Sequence, residues 1–216
     1  MNTKDLNRWI VLLLGVTILS GCGDPADKVA KATVNSETKG GGTAAVAATA
    51  DARAYVFGPE NSSISFVGSK VTGKHDGGFK KFSGELKVEG NKLANTGNKV
   101  EIDTTSIYTD TDRLTGHLKT KDFFDVAQFP TSTFETVSIT DNGTNSTVTG
   151  KLTLHGVTKE ISFPATIKVS PESVDVDADF AINRLDFDIK FKGMPNDLIR
   201  NDVVLKLKVK AAPAKA

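Results

Sequence analysis

The sequence predicts an all-β domain, an antiparallel β-barrel of about eight strands with one short helix near residues 111–120. Three observations carry that prediction. Apolar residues recur with a period of two along most of the chain, the opposite positions hold Lys, Glu, Asp, Ser and Thr, and the segments are divided by turns rich in Gly, Asn, Asp and Pro. One apolar face suits a single curved sheet around an interior better than a sheet covered on both sides. Closing that sheet into a barrel also removes its exposed edges.

Taken in order, strand signals are weak at Tyr55–Phe57 and Ile64–Lys70, then clear at Phe82/Gly84/Leu86/Val88 and Val100/Ile102. From Phe134 to Ile139 the parity shifts after Thr136, the mark of a β-bulge. Alternation resumes at Val148–Leu154, runs from Val157 to Val169 with Lys159 interrupting, and returns at Val174–Ile182 opposite Asp175, Asp177 and Asp179. Two further segments, Phe187/Ile189/Phe191 and Val203/Leu205/Leu207/Val209, read as strands. Gly58-Pro59, Asp76-Gly-Gly78, Asn95-Thr-Gly97, Asp141-Asn-Gly143 and His155-Gly156 are the turns. The helix rests on Leu114 and Leu118, four apart on one face, with a cap at Thr111 or Asp112.

Ahead of this domain lies an address. Lys4 and Arg8 precede an apolar run from Trp9 to Ile18 and then Leu19-Ser20-Gly21-Cys22, the order of a secretory signal. The run is shorter than the roughly 20 apolar residues that span a bilayer. Residues 1–21 are therefore expected to be removed as a signal peptide, with Leu-Ser-Gly-Cys resembling a bacterial lipobox and Cys22 as the lipidation site. Several acyl chains on one cysteine suffice for stable anchoring, each buried CH₂ contributing about 0.8 kcal/mol. The expected location is the periplasm of a bacterial cell envelope. Gly23 after the cysteine favours the outer membrane by analogy with enterobacterial sorting. Gly23 to Arg53 has no aromatic residue and no Leu, Ile or Met, so residues 22–53 are expected as a lipidated cysteine and flexible tether. All twelve phenylalanines fall between Phe57 and Phe191, which puts the barrel at 54–210 and leaves 211–216 as a tail.

Composition excludes several function classes. The 216 residues carry 27 basic and 26 acidic side chains, and loss of the leader, with Lys4, Arg8 and Asp5, leaves a formally neutral chain. No overall field favours nucleic acid. A single cysteine forms no internal disulfide, and three histidines do not complete a four-ligand zinc site.

Three stretches resemble the YceI family: Phe79-Lys-Lys-Phe82-Ser-Gly84-Glu-Leu86; Leu114-Thr-Gly-His-Leu118 through Asp122-Phe-Phe-Asp-Val126 with Phe129-Pro130 and Phe134; and Val148-Thr-Gly150 through His155-Gly156-Val157-Thr158-Lys159. Ile182-Asn-Arg184-Leu-Asp186-Phe187 is similar to that family's Arg-containing segment, although Asp188 stands where many members carry Gly. The resemblance covers Tyr55 to Lys210. It implies a lipocalin-like barrel whose long apolar cavity holds an isoprenoid chain, as in quinones or polyprenyl compounds, and it implies no enzymatic activity and no cofactor.

The candidate ligand-binding residues are Phe79, Phe82, Leu86, Leu114, Leu118, Phe123, Phe124, Phe129, Phe134 and Arg184. Aromatic rings build an apolar wall that asks for no hydrogen bonds, and the same rings are ordinary core filling in a solid barrel. His75, Arg113, His117 and Arg184 are the polar residues near these segments. An arginine fork suits a phosphate head group, while an ion pair of Arg184 with Asp186, or of Asp112 with Arg113, is the plainer reading. Asp122/Asp125 and Asp186/Asp188 are the carboxylate pairs; neither makes a catalytic pattern, and the second pair is expected on a solvated strand face. The function expected is a membrane-tethered binding or carrier protein for a long isoprenoid amphiphile. A ligand-free structural or stress-response lipoprotein with a solid core is the alternative.

Overall fold

The computed structural model describes residues 23–35, 52–195 and 197–215. Residues 1–22, with the expected leader and Cys22, and residues 36–51 of the expected tether lie outside them.

Eight long staves form the barrel. Three of them are bent strand pairs: β3 (Arg53–Phe57) with β4 (Ser63–Lys70), β5 (Gly73–Phe79) with β6 (Phe82–Glu89), and β8 (Lys99–Asp103) with β9 (Ile107–Thr109). Continuous staves follow: β10 (Thr131–Asp141), β11 (Ser146–Leu154), β12 (Val157–Val169), β13 (Val174–Asn183) and β16 (Asp202–Pro213). The short β7 (Lys92–Leu93) pairs β6, and β14 (Gly193–Met194) with β15 (Asp197–Leu198) makes a separate hairpin. Each stave pairs antiparallel with its sequence neighbour, and β16 closes the ring on β13 from Asn183↔Asp202 to Val174↔Ala211. On its other side β16 meets β4 at residues 204–208 and β3 at 212–213. The result is an up-and-down barrel.

Local chemistry sets the bends. Asp103 caps the 3-10 turn Thr104–Ser106 between β8 and β9. A register shift between Thr136 and Ser138 on β10 is the expected bulge. His155 (φ 51) and Gly156 (φ 73) join β11 to β12 in a two-residue turn with both residues at positive φ, as the right-handed strand twist requires. The helix α1 (Asp112–Leu118) is capped by the Thr111 hydroxyl, which accepts from the Leu114 N–H. Beside it β9 has no second strand neighbour, and α1 packs there, bringing Leu118 and the following Phe123 into the core.

Three segments differ from the sequence reading. First, residues 23–35 are docked rather than tethering. Asp24 caps a 3-10 turn at Pro25–Lys28, with proline at its favoured first position. β1 (Ala30–Lys31) then runs parallel to β13, and β2 (Thr33–Asn35) runs antiparallel to β12. They occupy a seam where β12 pairs β13 only through residues 166–169. Ala26 is buried, and Ala32 and Val34 pack on the main core. Backbone ladders and small side chains hold this segment, so its lack of large apolar residues does not predict freedom.

Second, β16 continues to Pro213, and Ala211 is fully buried, so the expected tail is part of the wall. Third, Phe187–Phe191 is not a strand. Asn183 caps a 3-10 turn at Arg184–Phe187 and Asp188 closes it at φ 61, a left-handed position that glycine occupies without strain.

Candidate functional site

The barrel encloses a cavity of about 380 Å³, within the range of small-molecule sites. Its wall follows the period of two: on β16 the side chains of Val203, Leu205, Leu207 and Val209 line it, about 20 Å of strand at roughly 3.3 Å per residue. Aromatic rings shape the interior. Phe163 and Phe180 stack with centroids 4.0 Å apart and planes within 9°, Phe134 leans on Phe163 at 5.6 Å, and Phe79 bridges Phe66 and Phe124 at 6.0 Å each. A Cβ on Gly150 would overlap the Phe134 ring, and one on Gly77 would overlap Phe66, so these glycines let rings lie flat against the wall.

Of the residues singled out in the sequence, the structure places Phe79, Leu86, Leu114, Leu118, Phe123, Phe124, Phe134 and Arg184 along this wall. Phe82 and Phe129 lie off it. Phe82 is buried against Phe57 in a second core cluster. Phe129 packs on the His155 ring at 4.8 Å and under Gly156, while its carbonyl accepts from the Thr104 hydroxyl. Both sit just before or after a bend, where inward parity no longer means facing the cavity. Phe66, Leu152, Phe163 and Phe180 also line the cavity. The alternation had marked Leu152, Phe163 and Phe180 as inward without distinguishing them from filler.

Buried polar groups at the wall are already satisfied. Arg184, 5% exposed, donates Nε to the Arg200 carbonyl, Nη1 to the Ile189 carbonyl at 2.5 Å and Nη2 to the Ile199 carbonyl. It makes no ion pair with Asp186. Its burial holds its pKa below the ordinary arginine value, and it stays charged because guanidinium is not deprotonated in proteins. Asn98 accepts from the Lys87 N–H and donates to the Ala94 carbonyl and the Thr136 hydroxyl, pinning the bulge. Sequence reading noted only the adjacent turn. Ser132 donates to the Thr153 carbonyl. No buried side-chain polar atom among the described residues lacks a partner, so the interior offers a ligand apolar surface rather than hydrogen bonds.

Charge appears only at one end. Half-exposed Lys70 and His75 line the cavity there together with Ser69 and Ile199. Lys70 pairs with Asp197, and the His75 ring lies 2.9 Å from Asp110. The hydrogen bond from Lys70, then that from Thr72, holds the Asp197 carboxyl below its ordinary value. His117 pairs with Asp122 and sits edge-on to Phe123 and Phe191. Arg113 is exposed, away from the cavity wall. Asp188 pairs with Lys190 on a turn rather than sharing a strand face with Asp186. Among the described residues no cluster of three or more His, Cys, Asp or Glu is arranged to hold a metal.

Comparison with known proteins places this architecture. A UPF0312 protein of Vibrio parahaemolyticus is 36% identical over 90 residues, 41% of this chain and 48% of that protein. One from Pseudomonas fluorescens is 30% identical over 137 residues, 60% of this chain and 71% of that protein. The alignment thus spans about half the length of several curated relatives. Among solved structures, Burkholderia cenocepacia BcnA superposes with TM-score 0.65 at 26% identity, over 71% of this chain and 98% of that one. A polyisoprenoid binding domain from Saccharophagus degradans gives 0.60 at 19% identity, over 75% and 99%. Residues 55–211, nearly the whole barrel, match the YceI-like domain, and the chain belongs to that family.

Proposed function

We propose that this protein is a lipid-anchored binding or carrier protein of the bacterial envelope that holds a long isoprenoid-type chain in its barrel. The long apolar cavity carries the reading. A rod-like hydrocarbon gains from every CH₂ it removes from water, about 0.8 kcal/mol each, while a polar ligand would find few unsatisfied groups inside. The polyisoprenoid-binding domain with the same fold supports the ligand class, and a cavity of this size speaks against a solid-core structural role. Among the described residues no set of reacting groups converges on the wall, which favours binding over catalysis. Anchoring through Cys22 and a periplasmic position rest on the Leu19–Cys22 motif, and the outer membrane on Gly23 after it.

The test is mass spectrometry of lipid extracted from the purified full chain, followed by binding of isoprenoid alcohols of increasing length. Affinity should rise with each prenyl unit until the cavity is filled, then level off. Equal affinity for short and long chains would overturn the proposal.

A further inference from the structure

We infer that the barrel end formed by the turn after β4 and the β14–β15 hairpin is a bilayer-contacting surface that turns the cavity toward the membrane. The inference rests on the proposed acylation of Cys22 for its orientation, and on the surface itself for its chemistry. Three exposed apolar side chains gather there: Val71 is 57% exposed, Met194 66% and Leu198 48%. The Val71 N–H donates to the Leu198 carbonyl, and Met194 and Leu198 lie on paired strands of one hairpin. Exposed side chains this apolar on adjoining turns are suited to an interface rather than to water.

The start of the described chain is fixed at the same end. The Asp24 carboxylate accepts from the Ser69 hydroxyl at 3.3 Å and pairs with Arg200 at 3.4 Å, and the Arg200 N–H donates to the Ser69 carbonyl. Ser69 and Arg200 are each two residues from Val71 and Leu198. Cys22 precedes Asp24 by two residues, a reach of about 7 Å. Acyl chains on Cys22 would therefore enter the bilayer beside these apolar tips. Lys74 and Lys192, exposed and without an ion pair among the described residues, supply charge that anionic head groups attract. Lys70 and Ile199, which line the cavity, adjoin the surface. A chain entering from the bilayer at this end need not cross bulk water.

The experiment uses the full chain, processed in a bacterial host and reconstituted into phosphatidylethanolamine–phosphatidylglycerol vesicles with brominated acyl chains. The chain's one tryptophan is Trp9, in the leader, so Leu198→Trp and Glu172→Trp each report on one place. Glu172 lies in the turn at the opposite end of β13. Bromine should quench the probe at 198 at least about threefold more than the probe at 172, because interfacial contact is shallow and local. Equal quenching, or more at 172, overturns the inference. As a second arm, Val71→Ser/Met194→Ser/Leu198→Ser should cut the quenching of a Lys192→Trp reporter by a similar factor, with the circular dichroism unchanged; undiminished quenching overturns it. Quenching seen only once native membrane proteins are added to the brominated vesicles also overturns it, in favour of a protein partner. Isoprenoid recovered from a chain whose two probes quench equally leaves the cavity reading standing while the surface fails. Strong quenching at 198 without recovered isoprenoid does the reverse.

Discussion

Two regions of the barrel are built from the same alternating strands, yet one is close-packed and the other surrounds the cavity. At the end bounded by β3, Tyr55, Val88, Val174 and Ala211 are at most 1% exposed, Phe82 packs with them, and Phe57 and Leu86 carry this packing to the edge of the cavity, which they line. A Cβ on Gly84 would overlap the Phe57 ring, so the strand passes close enough to leave no gap. The Tyr55 hydroxyl spans this end to donate to the carbonyls of Ser170 and Pro171. Elsewhere Leu152, Phe163, Phe180 and Leu205 stand along the cavity wall. Parity specifies which side chains point inward. It does not specify the distance to the opposite wall, which is set by bends, bulges and the insertion of β3 between β6 and β16.

That contrast is testable by truncation. Tyr55→Ala should have the largest effect, costing about 3–5 kcal/mol, since it opens a void in a packed end and also removes the hydroxyl's bonds. Urea denaturation measures it, and a loss below about 1 kcal/mol would show that this end is not solid. Arg184→Met should cost about 2–3 kcal/mol by leaving three carbonyls without their donor. Local hydrogen exchange at 189–200 should rise in this variant while exchange at 84–88 stays slow. Uniform acceleration would contradict the local role. Leu152→Ala at the cavity wall should cost least, about 1–2 kcal/mol, because one flank already faces empty space and little new void is created. The same change should shorten ligand retention on a size-exclusion column. A cost equal to that of Tyr55→Ala would mean that the cavity collapses around Leu152.

Much of this was legible in the chain. The period of two located most staves, Leu114 and Leu118 with Thr111 located the helix, and the parity shift after Thr136 located the bulge. Phe187–Phe191 misled because a capped 3-10 turn with one left-handed residue, Asp188, also places Phe187 and Ile189 inward. The docking of Ala30–Asn35 left no hydrophobic signature, since backbone bonds carry it. Phe82 and Phe129 were indistinguishable by type and parity from the rings that line the cavity. The anchoring of Arg184 by carbonyls was invisible because main-chain acceptors have no letter in a sequence.

The seam filled by β1 and β2 has a consequence in time. Ala30 pairs with Phe180 and Lys31 reaches Asp202, partners about 150 residues or more downstream, contacts of long sequence separation and therefore slow to close. A chain made from its N-terminus produces this segment first and can seat it only after β13 and β16 exist. The earliest part of the wall to be synthesised must wait for strands made long after it, and until it is seated the barrel stands with one slit open along its side.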